Sequence, residues 1–578
     1  MSEDIKPSQL LATITLPPQD LSRMSFCARS KPAALQKWVD SLLATQINQT
    51  SVQLYKAIPE IARLKTDYHT RIELLEIVRT TVQDSISGLQ KSFLNQPLIM
   101  PAGAQKTALI AQTLQKTMVD GYVAAVIQIS TFGKAKKQTM NQLALALHRA
   151  ISGIGLLFFR CHQIYSQTPA SLWSTLHILY QVAEYYDLAD QSIIDTGLKT
   201  TRSSSIQSAY IRVLMLDTAR TNQLSQNDID AAYTVFEHWS TAIKIHGSLT
   251  DNVENFFAVN LLGAQGPVYK SKIESKNVQR IIELDFLLLL SQLSKQSGAS
   301  DEELSSGNAI KVPRDFPAAL LTHLLETWGN IAQRKLNRRE VSSEADVCIG
   351  LVDCHYFACN GQDFDYFLSS SGSPESSRTG SFSQGLTPAS HLNASYTNFG
   401  RPTFRVSLQN TSAGGYCILW KGTISGKVMA GELIGVKELG KRTWSFGVVR
   451  WVRQLKNASQ LGIQILTTNA KPYAIAQTYD VGGYSEFMRA LFIPPAKNCF
   501  AYPTILTSAA PLKEFDKVHL LDGERKRMAK LDRASFQTKA VQQFKFHSLE
   551  STVDDASNTH KNTSQNNKSK DEFNSSWD

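Results

Sequence analysis

Arginines and a short polar turn are the residues whose types and spacing most invite chemistry in this chain. The stretch RPTFRVSLQNTSAGGYCILW, residues 401–420, holds Arg401 and Arg405 in an Arg-x-x-x-Arg pattern. Five residues after Arg405 comes Asn410-Thr411-Ser412-Ala413-Gly414-Gly415, an Asn-x-Ser-x-x-Gly pattern. A second Arg-x-x-x-Arg lies upstream in IAQRKLNRREVSSEADVCIGLV, at Arg334 and Arg338, with Arg339 adjacent. Guanidinium forks grip phosphates and carboxylates with two parallel hydrogen bonds. Asn, Ser and Gly have a plainer reading as turn formers, and the upstream arginines could be a solvated basic helix end favoured by the helix dipole.

Other chemistries fall away on the same inspection. Cys348, Cys354, His355 and Cys359 cluster without a Cys-x-x-Cys pair, and an extended reading of ADVCIGLVDCHYF points Cys354 and His355 to opposite faces, so no zinc site is expected. GTISGK (422–427) is too short between its glycines for a phosphate-binding P-loop and lacks the following Ser or Thr. Neither a Gly-x-Ser-x-Gly elbow nor a His-Glu-x-x-His helix occurs. No catalytic constellation survives, and the chain is expected to be no enzyme, with no cofactor and no metal.

The elements that must position these residues follow from hydrophobic period. In KPAALQKWVDSLLATQI the apolar positions Leu35, Trp38, Val39, Leu42 and Leu43 lie on one helical face. In LSQNDIDAAYTVFEHW, Ser225 is placed to cap a helix with Asp228 three residues on, and Ile229, Ala232, Tyr233 and Phe236 form the stripe. WSTLHILY has the large-residue spacing that opens a tetratricopeptide repeat, but no second copy follows, so Trp173 and Tyr180 read as packing aromatics. Residues 31–330 are thus expected to form an all-helical domain of stacked helix pairs, after an N-terminal segment 1–30.

Beyond about residue 340 the period becomes two. TFRVSLQ alternates Phe404, Val406 and Leu408 with polar partners, and GELIGVKE, WSFGVVRWVRQL and LGIQIL read as further strands. A Ser/Gly/Pro-rich stretch, 368–390, predicts a flexible insertion over about 360–399. Strands resume at MRALFIPP and run through KVHLLDGERKRMAKL, where Asp522-Gly523 marks a two-residue hairpin turn. The polar tail 549–578 reads as disordered.

The ordered set from about 331 to 470 resembles a PilZ domain. The Asn410, Ser412, Gly415 turn fits the family's [Asp/Asn]-x-Ser-x-x-Gly motif, and GVVRWVRQL with LGIQIL looks like its Gly-x-Val-x-Trp strand and its closing strand. The resemblance implies an antiparallel β-barrel and cyclic di-GMP as ligand. That ligand offers guanine O6 and N7 to a forked guanidinium, a contact that discriminates by about 1–3 kcal/mol, while a second arginine can hold phosphate or stack on a purine. In the family the arginine pair precedes the first barrel strand. Arg401 and Arg405 instead lead directly into the turn, whereas Arg334/Arg338 ends the last helix, so Arg334, Arg338 and Arg339 are the arginines the resemblance assigns. Removing the loop-like stretch leaves a spacing to Asn410 that fits one strand, a turn and a second strand.

The expected architecture is therefore multidomain α + β: a helical domain (31–330), a PilZ-like β-barrel (331–470), and a second β-rich barrel (471–548) before the tail. The expected role is a bacterial, cytoplasmic, non-catalytic cyclic di-GMP receptor in signal transduction, its helical domain passing the signal to an unknown protein partner. The alternative is a structural adaptor whose barrel has lost its ligand. The net charge of +10, from 60 basic and 50 acidic residues, favours anionic partners. It is spread along the chain without the basic and aromatic interleaving of a nucleic-acid groove, so no nucleic acid is expected. No apolar run approaches the roughly 18 residues of a membrane span, and no secretory leader is visible. Seven irregularly spaced cysteines suit a reducing compartment.

Overall fold

The computed structural model describes residues 6–42, 46–96, 100–131, 136–254, 256–273, 280–296, 310–330, 339–370, 401–412, 414–421, 428–455, 457–479, 482–495 and 502–549. The N-terminal region is helical. Its helices are α1 (Pro7–Leu11), α2 (Pro32–Asp40), α3 (Ile47–Arg63), α4 (Tyr68–Phe93), α5 (Ala102–Thr131) and α6 (Lys137–Gln163). They continue with α7 (Ala170–Tyr185), α8 (Ile206–Thr218), α9 (Gln226–Trp239), α10 (Leu287–Gln296) and α11 (Ala318–Gly329).

Local chemistry sets several of these boundaries. Asp67 caps α4 by accepting from Thr70 N at 2.9 Å. Ser225 and Asp228 form a reciprocal capping box on α9, as their spacing predicts. Helix α6 is long and apolar enough to cross a membrane by composition, but most of that surface is buried within the fold. Trp173 and Tyr180 are buried packing aromatics, the latter stacked on Tyr210 at 4.1 Å.

Leu11 and Met24 of the N-terminal segment are buried in the same core as α4 to α9. One departure from the sequence reading lies in this region. Strands also accompany the helices. A hairpin joins β1 (Ser192–Ile194) to β2 (Ser203–Ser205), and β3 (Lys244–His246), β4 (Phe257–Asn260), β5 (Val268–Tyr269) and β6 (Ile281–Asp285) form a sheet in the order β3-β6-β4-β5. These strands are two to five residues long, too short for a period of two to stand out among long helices. In IIELDFLLLL the strand ends at Asp285, whose carboxylate accepts from Leu287 N at 2.9 Å and starts α10.

Two closed six-stranded antiparallel barrels follow. The first comprises β7 (Arg339–Ile349), β8 (Phe404–Ser412), β9 (Gly415–Lys421), β10 (Leu433–Glu438), β11 (Ser445–Gln454) and β12 (Ala458–Thr467), closing in the order β10-β11-β12-β9-β8-β7. The second comprises β13 (Lys471–Gln477), β14 (Met488–Ile493), β15 (Thr504–Ser508), β16 (Lys517–Leu521), β17 (Lys526–Gln537) and β18 (Val541–Ser548), closing in the order β13-β14-β15-β18-β17-β16. At the β16–β17 turn Asp522 N donates to Arg525 O at 3.2 Å, and Gly523 takes a φ of +93° that suits glycine.

The first barrel's interior holds Val347, Val406, Leu408, Ile418, Ile434, Val449 and Ile463. Its opposite face at Cys348, Leu433, Phe446, Val448 and Leu466 packs on Leu491, Ile493, Leu506 and Val541 of the second barrel. Burial of this shared apolar surface holds the two barrels together.

The extended reading of ADVCIGLVDCHYF is corrected here. The strand stops at Ile349, Gly350 turns the chain at φ +81°, and α12 (Gly350–Ala358) follows. A short apolar run does not by itself distinguish strand from helix. Cys354 and His355 therefore sit on a helix: His355 lies 3.4 Å from Cys359 Sγ and 3.1 Å from Tyr473 O, and Cys354 Sγ is 3.9 Å from Cys348 Sγ. The expected insertion also begins later than residue 360. Helix α13 (Phe364–Ser370) buries Phe364 and Phe367 against Ala474 and Leu521 of the second barrel. Residues 371–400 and 550–578 lie outside the described residues.

Candidate ligand-binding site

The Asn-x-Ser-x-x-Gly turn joins β8 to β9, with Ser412 opposite Gly415 in the ladder. A one-residue register shift between Leu408 and Asn410 changes the phase of β8, so Asn410 pairs with Cys417 and shares its face. Continuing across the sheet, Cys417 pairs with Gly462, and Gly462 pairs with Trp451 after a second shift between Val449 and Trp451. Because directly opposed residues share a face, Asn410, Cys417, Gly462 and Trp451 form one row across the outer surface of β8, β9, β12 and β11. Neighbouring rows hold Ser412, Gly415 and Gln464 on one side, and Leu419, Gln460 and Arg453 on the other. At about 4.8 Å per strand the row from Asn410 to Trp451 spans about 14 Å.

Two glycines on this face are fixed by contact. A Cβ on Gly462 would stand 1.9 Å from Trp451 Nε1, so the indole lies directly on that backbone. A Cβ on Gly415 would meet Ile463 O at 2.3 Å, so strand packing alone requires glycine there. Ser412 Oγ reaches Gly415 O at 3.5 Å across the turn. Tyr416, one residue out of phase, turns inward and donates from its hydroxyl to Glu438 at 3.0 Å.

Of the arginines the sequence singles out, Arg334 and Arg338 lie outside the described residues, in the connection between α11 and β7. Arg339 opens β7 as an exposed residue opposite Thr411, and Glu340 is the residue opposite Asn410. The other pair is occupied. Arg405 bonds Asp346, its cross-strand partner, at 2.7 Å and Glu344 at 3.3 Å. Arg401 stands 3.8 Å from Asp353 and 3.9 Å from Asp363.

Above the Trp451 end of the face the helical domain forms an opposing wall. Gln454 N donates to Tyr165 O at 2.7 Å where the two modules touch. A cleft of about 550 Å³ opens beside this contact. The barrel contributes Trp451, Arg453 and Gln460, and the helical domain contributes His162, Gln167, Asp217, Arg220 and Asn222 among others. Burial drives the His162 imidazole down to about 4 and the Asp217 carboxyl up to about 7. The helical wall has no sequence signal, since its residues come together only through tertiary packing.

Comparison with known proteins follows the same division. Three models match in order: the N-terminal domain of the cyclic-di-GMP receptor FimW over residues 33–250, its middle PilZ domain over 256–395 and 387–472, and its C-terminal β-barrel domain over 473–549. The chain belongs to the FimW family. A relative from Pseudomonas aeruginosa named "Cyclic-di-GMP receptor FimW" is 28% identical over 576 residues, covering 93% of this chain and 94% of its own. No solved structure matches. The middle-domain match thus starts at β4. Here β4, β6, α10 and α11 pack into the helical core, through Val259, Leu284, Leu289 and Trp328.

Proposed function

We infer that this chain is a non-catalytic receptor for cyclic di-GMP, binding it on the outer face of the first barrel. The observation that carries this reading is the row described above. The Asn410, Ser412 turn opens onto a broad outer face, beside the start of β7 into which the Arg334/Arg338 segment leads. In this reading Arg334 and Arg338 grip guanine or phosphate, Arg339 adds a third cation, and Asn410 and Ser412 supply short polar contacts. Gly415 keeps the turn flat enough for a ligand to approach. The name of the Pseudomonas relative supports the same ligand. The working division is 31–330, 331–470 and 471–548, with the protein in the cytoplasm and a protein partner on the helical domain.

The test is calorimetric titration of cyclic di-GMP into wild type and five variants at one salt concentration. Arg334→Ala, Arg338→Ala and Ser412→Ala should weaken binding, the arginines by about 1–3 kcal/mol, roughly ten- to hundredfold. Arg401→Ala and Arg405→Ala should bind as wild type, because both guanidiniums are already engaged with carboxylates. Critical Arg401 and Arg405 with silent Arg334 and Arg338 would reverse the assignment. No binding by wild type would leave the adaptor reading in its place.

A further inference from the structure

The cleft beside the barrel face is built more like a binding site than a packing defect. Its volume of about 550 Å³ falls within the roughly 300–1,000 Å³ of ligand sites. Two guanidiniums line it, Arg453 and Arg220, the latter also donating to the Tyr269 hydroxyl, together with an indole and the amides of Gln167, Asn222 and Gln460. That set suits a ligand with anionic groups and flat heterocycles.

Two further observations concern the helical wall itself. His162 is anchored through Nδ1 to Thr221 Oγ1 at 2.5 Å, yet its buried Nε2 has no hydrogen-bond partner among the described residues. Asp217 Oδ1 stands 3.8 Å from that nitrogen, too far to satisfy it. An unmet buried nitrogen in a native fold calls for a partner. In addition, Tyr165 and Arg220 hold left-handed backbone, at φ +55° and +48°, where they end α6 and α8 just past the C-caps Ile164 and Ala219. Both helix ends line the cleft.

We propose that the helical domain is the second wall of the cyclic di-GMP site. The ligand would lie along the outer row from Asn410 to Trp451 and enter the cleft, where Arg220, Asn222 and Arg453 take its polar and anionic groups. This rests on the receptor reading above and adds its consequence. A ligand held by both walls fixes the helical domain against the barrel, so occupancy is read out as interdomain geometry.

The experiment uses the full chain and cyclic di-GMP. Arg453→Ala and Asn222→Ala change exposed side chains and should leave the melting midpoint unchanged. Each should bind about tenfold or more weakly, the scale of one lost bidentate contact. Ligand should also change tryptophan fluorescence in wild type, and Trp451→Phe should lose that change. If Ser412→Ala weakens binding while both cleft variants bind as wild type, the barrel face works alone and the proposal is overturned. If wild type itself does not bind, the receptor reading fails first.

Discussion

The Trp451 indole rests on the backbone of Gly462, leaving no room for even a methyl group between them. The contact ties β11 to β12 on the face where the Asn410 row runs. Gly462→Ala would force the indole out of place. We expect a loss of about 1–3 kcal/mol of stability, the usual cost of overpacking, and weaker ligand binding with it. Denaturant unfolding beside a titration checks both. An unchanged midpoint with normal affinity would show that the indole swings away freely.

A buried charge cluster pins the β1–β2 hairpin to α4 and α6. Asp195 pairs with Arg79 and with Arg149, which also bonds Glu76 at 3.0 Å. Burial alone would raise the Asp195 carboxyl, but the two arginines outweigh it and hold it below its ordinary value. Asp195→Ala leaves the buried Arg79 without its carboxylate, while Arg149 keeps Glu76, and should cost about 3–5 kcal/mol. Since the folded value is depressed, this stabilisation is complete above the unfolded value near 4 and fades as pH falls through the folded one. Urea unfolding of the variant and wild type at neutral pH measures the difference.

Much of this organisation is legible in the sequence. The switch from a helical period to a period of two marks where the barrels begin, and the Ser225–Asp228 box fixes the start of α9. What is not legible has identifiable causes. The register shifts at Leu408/Asn410 and Val449/Trp451 break the alternation that would have placed Asn410 and Trp451 on one face. The apolar run after Ala345 is read equally well as strand or helix until Gly350 turns it. Phe364 and Phe367 sit beside a Ser-rich stretch, which conceals a packed helix. His162, Asp217 and Arg220 face the barrel only because the domains dock.

Asp217 gives the cleft a pH signature. Desolvation lifts its folded value to about 7, well above the unfolded carboxyl near 4. Between those values the folded state binds the extra proton, so this residue's penalty on folding grows as pH rises from 4 to 7 and levels off above. Asp217→Asn removes the penalty. The variant should therefore melt higher than wild type at pH 8, with the gap narrowing toward pH 5. A gap independent of pH would mean that the carboxyl is not desolvated.

The helical region should fold without the barrels. Its core runs from Leu11 in α1 to Trp328 in α11, and among the described residues no barrel residue belongs to it. Separation would break the Gln454 to Tyr165 bond and the reach of Lys539 to Ser225 at 2.6 Å and Asp228 at 3.0 Å. Exposed ion pairs of the latter kind contribute at most about 1 kcal/mol. Residues 1–330 expressed alone should therefore give a helix-dominated circular dichroism spectrum and a single cooperative melt. Retained far-ultraviolet signal with a broad transition and strong dye binding would mark a molten state, and would mean that the docked barrel organises the helical wall rather than merely resting on it.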